Sequence, residues 1–164
     1  RPTAAAEFGD HNDATKAAFL TSWSSPAGRG QAEWRRVEIP SANGHTTAQS
    51  LARLFGALAN GGWLDGDMIL SPALIGELAR TRIHGQDLVL PFVVSWGAGV
   101  LRNEGLNVWG PAQETFGHAG WGGSCVFADP AARLAGAYVM NKQPTALGGD
   151  ARARRLIEAA YGGL

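Results

Sequence analysis

Phe116-Gly117-His118-Ala119-Gly120-Trp121-Gly122-Gly123-Ser124 is the stretch on which the fold of this chain turns. Four of its residues are glycine, and a glycine in a strand costs about 0.5–1 kcal/mol relative to alanine. A strand accepts that cost where a ligand or another backbone must approach closely. His118 and Trp121 interleave with the glycines. An imidazole beside exposed backbone N–H groups can bind an anionic or carbonyl group. A glycine-rich turn between strands, with a packed His and Trp, fits the same residues. Spacing alone leaves both readings open.

The flanks supply the sheet. Thr115 to Gly120 reads as a strand and Gly123 to Ala128 as a second. Asp129-Pro130-Ala131-Ala132 has type I turn chemistry, and Leu134 to Met140 is a third strand. The result is an antiparallel three-strand meander. A helix follows from its cap Asp150 to Tyr161, with Leu156, Ile157, Ala160 and Tyr161 on one face and Gly162 as stop. Upstream, Pro91 divides the apolar run Leu88 to Leu101. Trp96 to Leu101 reads as strand, the earlier half as irregular or edge strand. Residues 46–60 give a clear helix: Thr46 and Gln49 form a capping box, and Ala48, Leu51, Leu54, Phe55 and Leu58 form a stripe. Asn60-Gly61-Gly62 ends it. Ser71 and Pro72 start another helix, running to about Arg80. Asp13 to Phe19 can form a short helix, and Ser22 to Gly30 reads as a surface loop.

Composition narrows the function. The chain has 164 residues and 23 glycines, roughly twice the usual share. The glycines have no fixed period, which excludes a collagen-like chain, and six Trp and six Phe exclude disorder. Fourteen basic residues balance fourteen acidic ones, so no nucleic-acid partner is expected. Cys125 is the only cysteine, which rules out an intrachain disulfide and a cysteine metal cluster; no metal or cofactor is expected. No apolar run is long enough to span a membrane. A soluble protein of bacterial type is expected, its compartment, cytoplasm or periplasm, left open.

Most catalytic signatures are missing. Gly122-Gly123-Ser124-Cys125-Val126 lacks the last glycine of a nucleophile elbow, and Gly97-Ala98-Gly99 lacks the third glycine of a dinucleotide site. The four histidines are too scattered for local metal-ligand spacing. Only Lys16 and Lys142 exist, with Asp13 and Val139 three residues before them, so neither belongs to Ser-x-x-Lys or to a P-loop.

The order of the remaining motifs resembles the C-terminal part of the serine β-lactamase-like hydrolases, above all class C β-lactamases and the esterases of that fold. His118-Ala119-Gly120 is similar to the His-x-Gly triplet those esterases carry where β-lactamases have Lys-Thr-Gly. Trp121-Gly122-Gly123 is similar to their Trp-Gly-Gly. Val126 to Pro130 and Leu134 to Asn141 resemble the two following strands. Glu38 to His45, with Ala48, Leu51, Ala52 and Arg53, resembles the entry to a helix of the helical subdomain. The likeness covers roughly residues 30–161.

The resemblance implies an α+β, β-lactamase/transpeptidase-like fold: an antiparallel sheet packed by the C-terminal helix, plus part of the helical subdomain. Residues 1–90 would be the loop and helical-subdomain portion, and 91–164 the strands and final helix. It implies acyl transfer to a serine, with His118 lining the cleft and Trp121 supplying one oxyanion-hole N–H. Gly120, Gly122 and Gly123 would complete the wall, around a small ester or amide substrate.

Ser-x-x-Lys and Tyr-x-Asn are both missing: Tyr138 is followed at two by Met140, and Tyr161 by Gly163. Ser41-Ala42-Asn43 mimics the Ser-x-Asn of some penicillin-binding proteins, a coincidence, since it lies where the Asn-Gly-His segment enters the helix. In the family these motifs precede the matched region, so an incomplete domain is expected, and its missing half is the first expected partner. The strand from Leu134 to Met140 would then have an open edge, inviting self-association. An esterase is expected over a β-lactamase; a D-amino-acid peptidase and a non-catalytic binding module are the rivals.

The other conspicuous residues have ordinary readings. Cys125 is a buried core residue, and His45 caps or packs at a helix start. His11 and His84 belong to surface loops, and Arg152, Arg154 and Arg155 to the solvated face of the last helix. Trp23, Trp34, Trp63, Trp96 and Trp109 belong to the core.

Overall fold

The computed structural model describes residues 12–20, 32–40, 44–144 and 149–164. Among the described residues three helices come first: α1 (Asp13–Leu20), α2 (Ala32–Arg36) and α3 (Ala48–Ala59). A two-strand ribbon follows, β1 (Trp63–Leu64) with β2 (Asp67–Met68), and then α4 (Pro72–Ala79). The remaining strands are β3 (Ile83–Gln86), β4 (Val93–Trp96), β5 (Leu101–Arg102), β6 (Phe116–Ala119), β7 (Cys125–Asp129) and β8 (Leu134–Tyr138). The final helix is α5 (Ala151–Gly162). Strands β3 to β8 form one antiparallel sheet in sequence order. The expected meander is thus one half of a six-stranded sheet.

Three local expectations are corrected. Strand β4 occupies the half expected to be irregular, and Gly97 to Val100 is a tight turn closed by Gly97 N–H to Val100 O at 2.9 Å. That turn pairs Trp96 with Leu101, so one expected strand becomes the tip of a hairpin. The cap of α3 is Thr47, whose Oγ1 accepts from Ser50 N–H, one residue later than the Thr46–Gln49 box. Either threonine can cap chemically, and the one reaching a free first-turn amide wins. Asp65 and Gly66, both at positive φ, form the β1–β2 hairpin turn, which an Asp-Gly pair favours. Other boundaries hold: Ser71 caps α4, Asp150 caps α5, and Asp129 Oδ1 accepts the Ala131 and Ala132 amides in the β7–β8 turn.

Strand alternation divides the core between two faces. On one, Ala153 and Ile157 of α5 pack with Val94, Leu101, Trp109, Cys125 and Phe127. On the other, Leu58 and Ala59 of α3 and Ile75 of α4 pack with Val100, Phe116 and Ala128. The buried stripe of α5 is therefore Ala153 and Ile157 at i, i+4 spacing, with Tyr161 half-buried. Leu156, expected on that stripe, is 61% exposed. The reason is that Tyr161 anchors the helix, its hydroxyl donating to Asp129 Oδ2 at 2.6 Å and its ring stacking on Phe127.

The middle of β7 explains two glycines, one through the Phe127 ring and one through its backbone. Phe127 lies opposite Gly117 on β6 and Gly136 on β8. A Cβ on Gly136 would fall 2.6 Å from the Phe127 ring, and one on Gly117 would fall 2.1 Å from Val126 O. Gly117 is thus required by strand packing. Trp109 is buried as expected, but Trp63 is 54% exposed on its ribbon, so the core reading fails there. His84 is corrected from loop to strand β3, its Nδ1 2.6 Å from the hydroxyl of the fully buried Ser95. Arg152 is not simply solvated, for it is tied to Asp150. Trp23, His11, Ser22 to Gly30 and Ser41 to Asn43 lie outside the described residues.

Candidate active site

Strand β6 changes character along its four residues. Phe116 and Gly117 are buried, His118 is exposed, and Ala119 is half-buried. From Gly120 the chain turns back into β7. Gly120 N–H donates to Ser124 O at 2.7 Å, and Gly123 N–H to Gly120 O at 3.0 Å. Gly122 and Gly123 have φ of 99° and 91°, a region closed to most side chains. Space is short as well: a Cβ on Gly123 would lie 2.7 Å from Asp150 Cβ, and one on Gly122 3.0 Å from Gln143 Cδ. Gly120 is less constrained, its nearest neighbour being the movable Ser124 hydroxyl at 3.0 Å.

His118 Nδ1 lies 2.9 Å from Ala119 O. A carbonyl oxygen can only accept, so this bond places the proton on Nδ1, and the neutral ring then has Nε2 as an acceptor. The Trp96 ring lies 5.5 Å from the imidazole, tilted by 34°. Trp96 is itself held, its indole N–H donating to Asp87 Oδ2 at 3.1 Å. Burial opposes charge on Asp87. The Leu90 and Val89 amides and the Trp96 indole outweigh it, holding the carboxyl below its ordinary pKa. Asp87 and Trp96 are the supports that sequence reading missed. An Asp accepting from amides two and three residues on is a legible turn signal, but its reach to Trp96 is not.

Trp121 is half-buried, its ring edge-on to Phe19 of α1 at 5.6 Å. Helix α1 is fixed to the loop after β3 by Asn12 Nδ2 to Leu88 O at 3.0 Å and by the Thr15 hydroxyl to Val89 O. The structure thus brings His118, Gly120, Trp121, Gly122 and Gly123 together at the β6–β7 end of the sheet, with Trp96 against the imidazole. Its polar features are an imidazole and a backbone turn, which suit contact with a carbonyl or an anion.

Elsewhere the chemistry is quiet. Cys125 is buried, and desolvation raises its thiol pKa, so it is a poor nucleophile. His45 is exposed, its ring edge-on to Trp34 at 5.6 Å. Among the described residues no three His, Cys, Asp or Glu side chains gather as metal ligands, and no helix is long and apolar enough to cross a membrane.

Known proteins resemble this chain in sequence and fold. The chain is 61% identical to a novel penicillin-binding protein homolog from Caulobacter crescentus, with a TM-score of 0.90 over 100% of this chain and 44% of that one. It is 43% identical to a family VIII carboxylesterase, with a TM-score of 0.78 over 82% of this chain and 36% of the other. The esterase/beta-lactamase LipL of Mycobacterium tuberculosis is 39% identical over 117 residues, 70% of this chain and 26% of LipL. The chain therefore spans less than half the length of each of these relatives. The expected α+β, β-lactamase-like architecture holds. A family model described as Beta-lactamase matches residues 1–161, so that the glycine turn, its histidine and the sheet behind them are those of a member of the Beta-lactamase family.

Proposed function

We propose that the complete protein is a serine hydrolase that cleaves carboxylic esters through an acyl-enzyme, its Ser-x-x-Lys and Tyr-x-Asn lying outside this chain. The observation that carries this reading is His118, exposed on β6 within His-Ala-Gly and followed directly by a glycine turn. Names among the similar proteins support it, one being a family VIII carboxylesterase and one an esterase/beta-lactamase.

In this reading the serine hydroxyl gives its proton to the Lys–Tyr pair as its oxygen attacks the ester carbonyl. Charge developing on the carbonyl oxygen is met by the serine's own N–H and by that of Trp121. A single such donor is worth about 10²–10³ in kcat. Collapse of the tetrahedral adduct expels the alcohol, and water then releases the acid. His118, with Nε2 free to accept, orients the substrate or relays a proton near the serine. Gly120 leaves room for the acyl group against the strand, and Gly122 and Gly123 give the turn its shape.

Esters are preferred over β-lactams because His118 stands where a lysine would give a fixed positive charge for the β-lactam carboxylate. The test is turnover of a short-chain aryl ester and of a chromogenic cephalosporin by the complete protein. Efficient cephalosporin hydrolysis with negligible esterase activity would refute the preference. The isolated 164-residue chain should resist covalent labelling by a fluorophosphonate.

A second reading follows from the penicillin-binding protein homolog, the similar structure with 61% identity. There the same wall would receive a peptide ending in D-amino acids, either cleaving it or only binding it. Release of D-alanine from such a peptide, with no ester turnover, would select the peptidase. Peptide binding without fluorophosphonate labelling of the complete protein would select a binding module.

A further inference from the structure

We propose that Asp150, clamped by Arg152, is a positioning residue that holds the Trp121-Gly122-Gly123 backbone in its working shape. This rests on the reading of Trp121 N–H as an oxyanion donor. Consecutive glycines at positive φ are easily deformed, and the turn's own bonds are few. Something outside the turn must therefore fix it.

Asp150 is placed to do so. Its side chain is 4% exposed, and its Cβ occupies the space that a side chain on Gly123 would need. Pro144 closes the same space from the other side, its Cγ 3.2 Å from that position. Behind Gly122 sits Gln143. The turn thus rests on a floor with two parts, the start of α5 and the segment 142–144.

One ion pair joins those parts. Arg152 Nη2 donates to Asp150 Oδ2 at 2.6 Å and to Lys142 O at 2.7 Å, and its Nε donates to both carboxylate oxygens at 3.0 Å. Asp150 Oδ1 also accepts the Arg152 amide at 2.8 Å, and the Tyr138 hydroxyl donates to Oδ2 at 3.3 Å. A helix cap needs only the amide bond. The remaining contacts fix the carboxylate, and with it the Cβ beneath Gly123. The Arg152 side chain is 41% exposed, so it is the number and geometry of these bonds that hold the carboxylate in one place. An oxyanion donor tolerates little displacement, since an error of about 1 Å can cost about 10²-fold in rate.

The experiment uses the complete protein with Asp150→Ala, Asp150→Asn, Arg152→Ala and Arg152→Lys. With a short-chain aryl ester, the two alanine variants should lose about 10- to 100-fold in kcat, with KM within about twofold. Arg152→Lys should recover part of the loss, because an ammonium keeps the charge but not the fork. Amide-exchange protection of Gly120 and Gly123 should fall about tenfold in the alanine variants, with β6–β7 ladder amides unchanged. Unchanged protection at Gly123, or a kcat that falls only in step with the folded fraction, overturns the proposal. If an alanine variant does not fold, Asp150→Asn, which keeps the shape and removes the charge, decides on the same readouts. If the wild-type protein turns over no ester, the hydrolase reading fails, and protection at Gly123 alone decides whether Asp150 braces the turn.

Discussion

The two ends of the glycine-rich stretch use the same residue for opposite reasons. At Gly117 the backbone of β6 lies so close to β7 that a Cβ would fall 2.1 Å from Val126 O. At Gly122 and Gly123 the chain leaves the sheet, and positive φ excludes side chains before crowding is considered. The first end is buried and serves packing. The second carries the turn beside exposed His118, the wall of the proposed site. Glycine density marked the region, but only the neighbours of each glycine separate scaffold from wall.

Substitution at the packing end gives the largest contrast. Gly117→Ala forces backbone against backbone, an overpacking with no flexible side chain to yield, and should cost about 3 kcal/mol. Gly120→Ala is tight only against the Ser124 hydroxyl, which can rotate, and should cost under about 1 kcal/mol. Urea denaturation of both variants measures the difference. Equal losses would erase the distinction between a glycine crowded by backbone and one crowded by a movable side chain.

Much of this fold is legible in the sequence. Caps at Ser71 and Asp150, the Asp129 turn and three of the six sheet strands follow from local chemistry. What stayed hidden depends on distant partners. Leu156 and Ile157 look alike in sequence, and it is distant partners of the helix, the Tyr161–Asp129 bond among them, that go with Ile157 facing the core. Strand β3 has a mixed, glycine-containing sequence with no alternation, and it is a strand because β4 pairs with it. For the proposed site, His118 and the glycines stand out by spacing and resemblance, whereas Asp87, Trp96 and Asp150 meet it through contacts of eight or more residues' separation.

A smaller effect is expected at the wall itself. His118→Gln keeps a polar side chain on an exposed position, so stability should change by less than about 0.5 kcal/mol. If the imidazole takes part in proton traffic, ester turnover by the complete protein should fall about 10²-fold, the lower end for a general acid–base group. If it only orients the substrate, KM should rise with kcat nearly unchanged. Loss of stability comparable to that of Gly117→Ala would place His118 with the scaffold instead.

The smallest effect appears only in acid, and it separates the two ends within one molecule. The Arg152 hydrogen bonds hold the Asp150 carboxyl below its ordinary pKa, against the opposing pull of desolvation. Tyr138 and Cys125 are the other titratable groups against it, and both are raised, so neither changes charge in acid. Because the folded pKa is depressed, the stabilisation is complete above the unfolded value of about 4 and is lost as pH falls through the folded one. Asp150→Asn has no such dependence, so its deficit against wild type should be constant at neutral pH and shrink below about pH 4. Over the same interval, protection of the Gly123 amide in the wild type should fall before that of the β6–β7 ladder. Simultaneous loss at both ends would mean that the turn is held by the sheet and not by the ion pair beneath it.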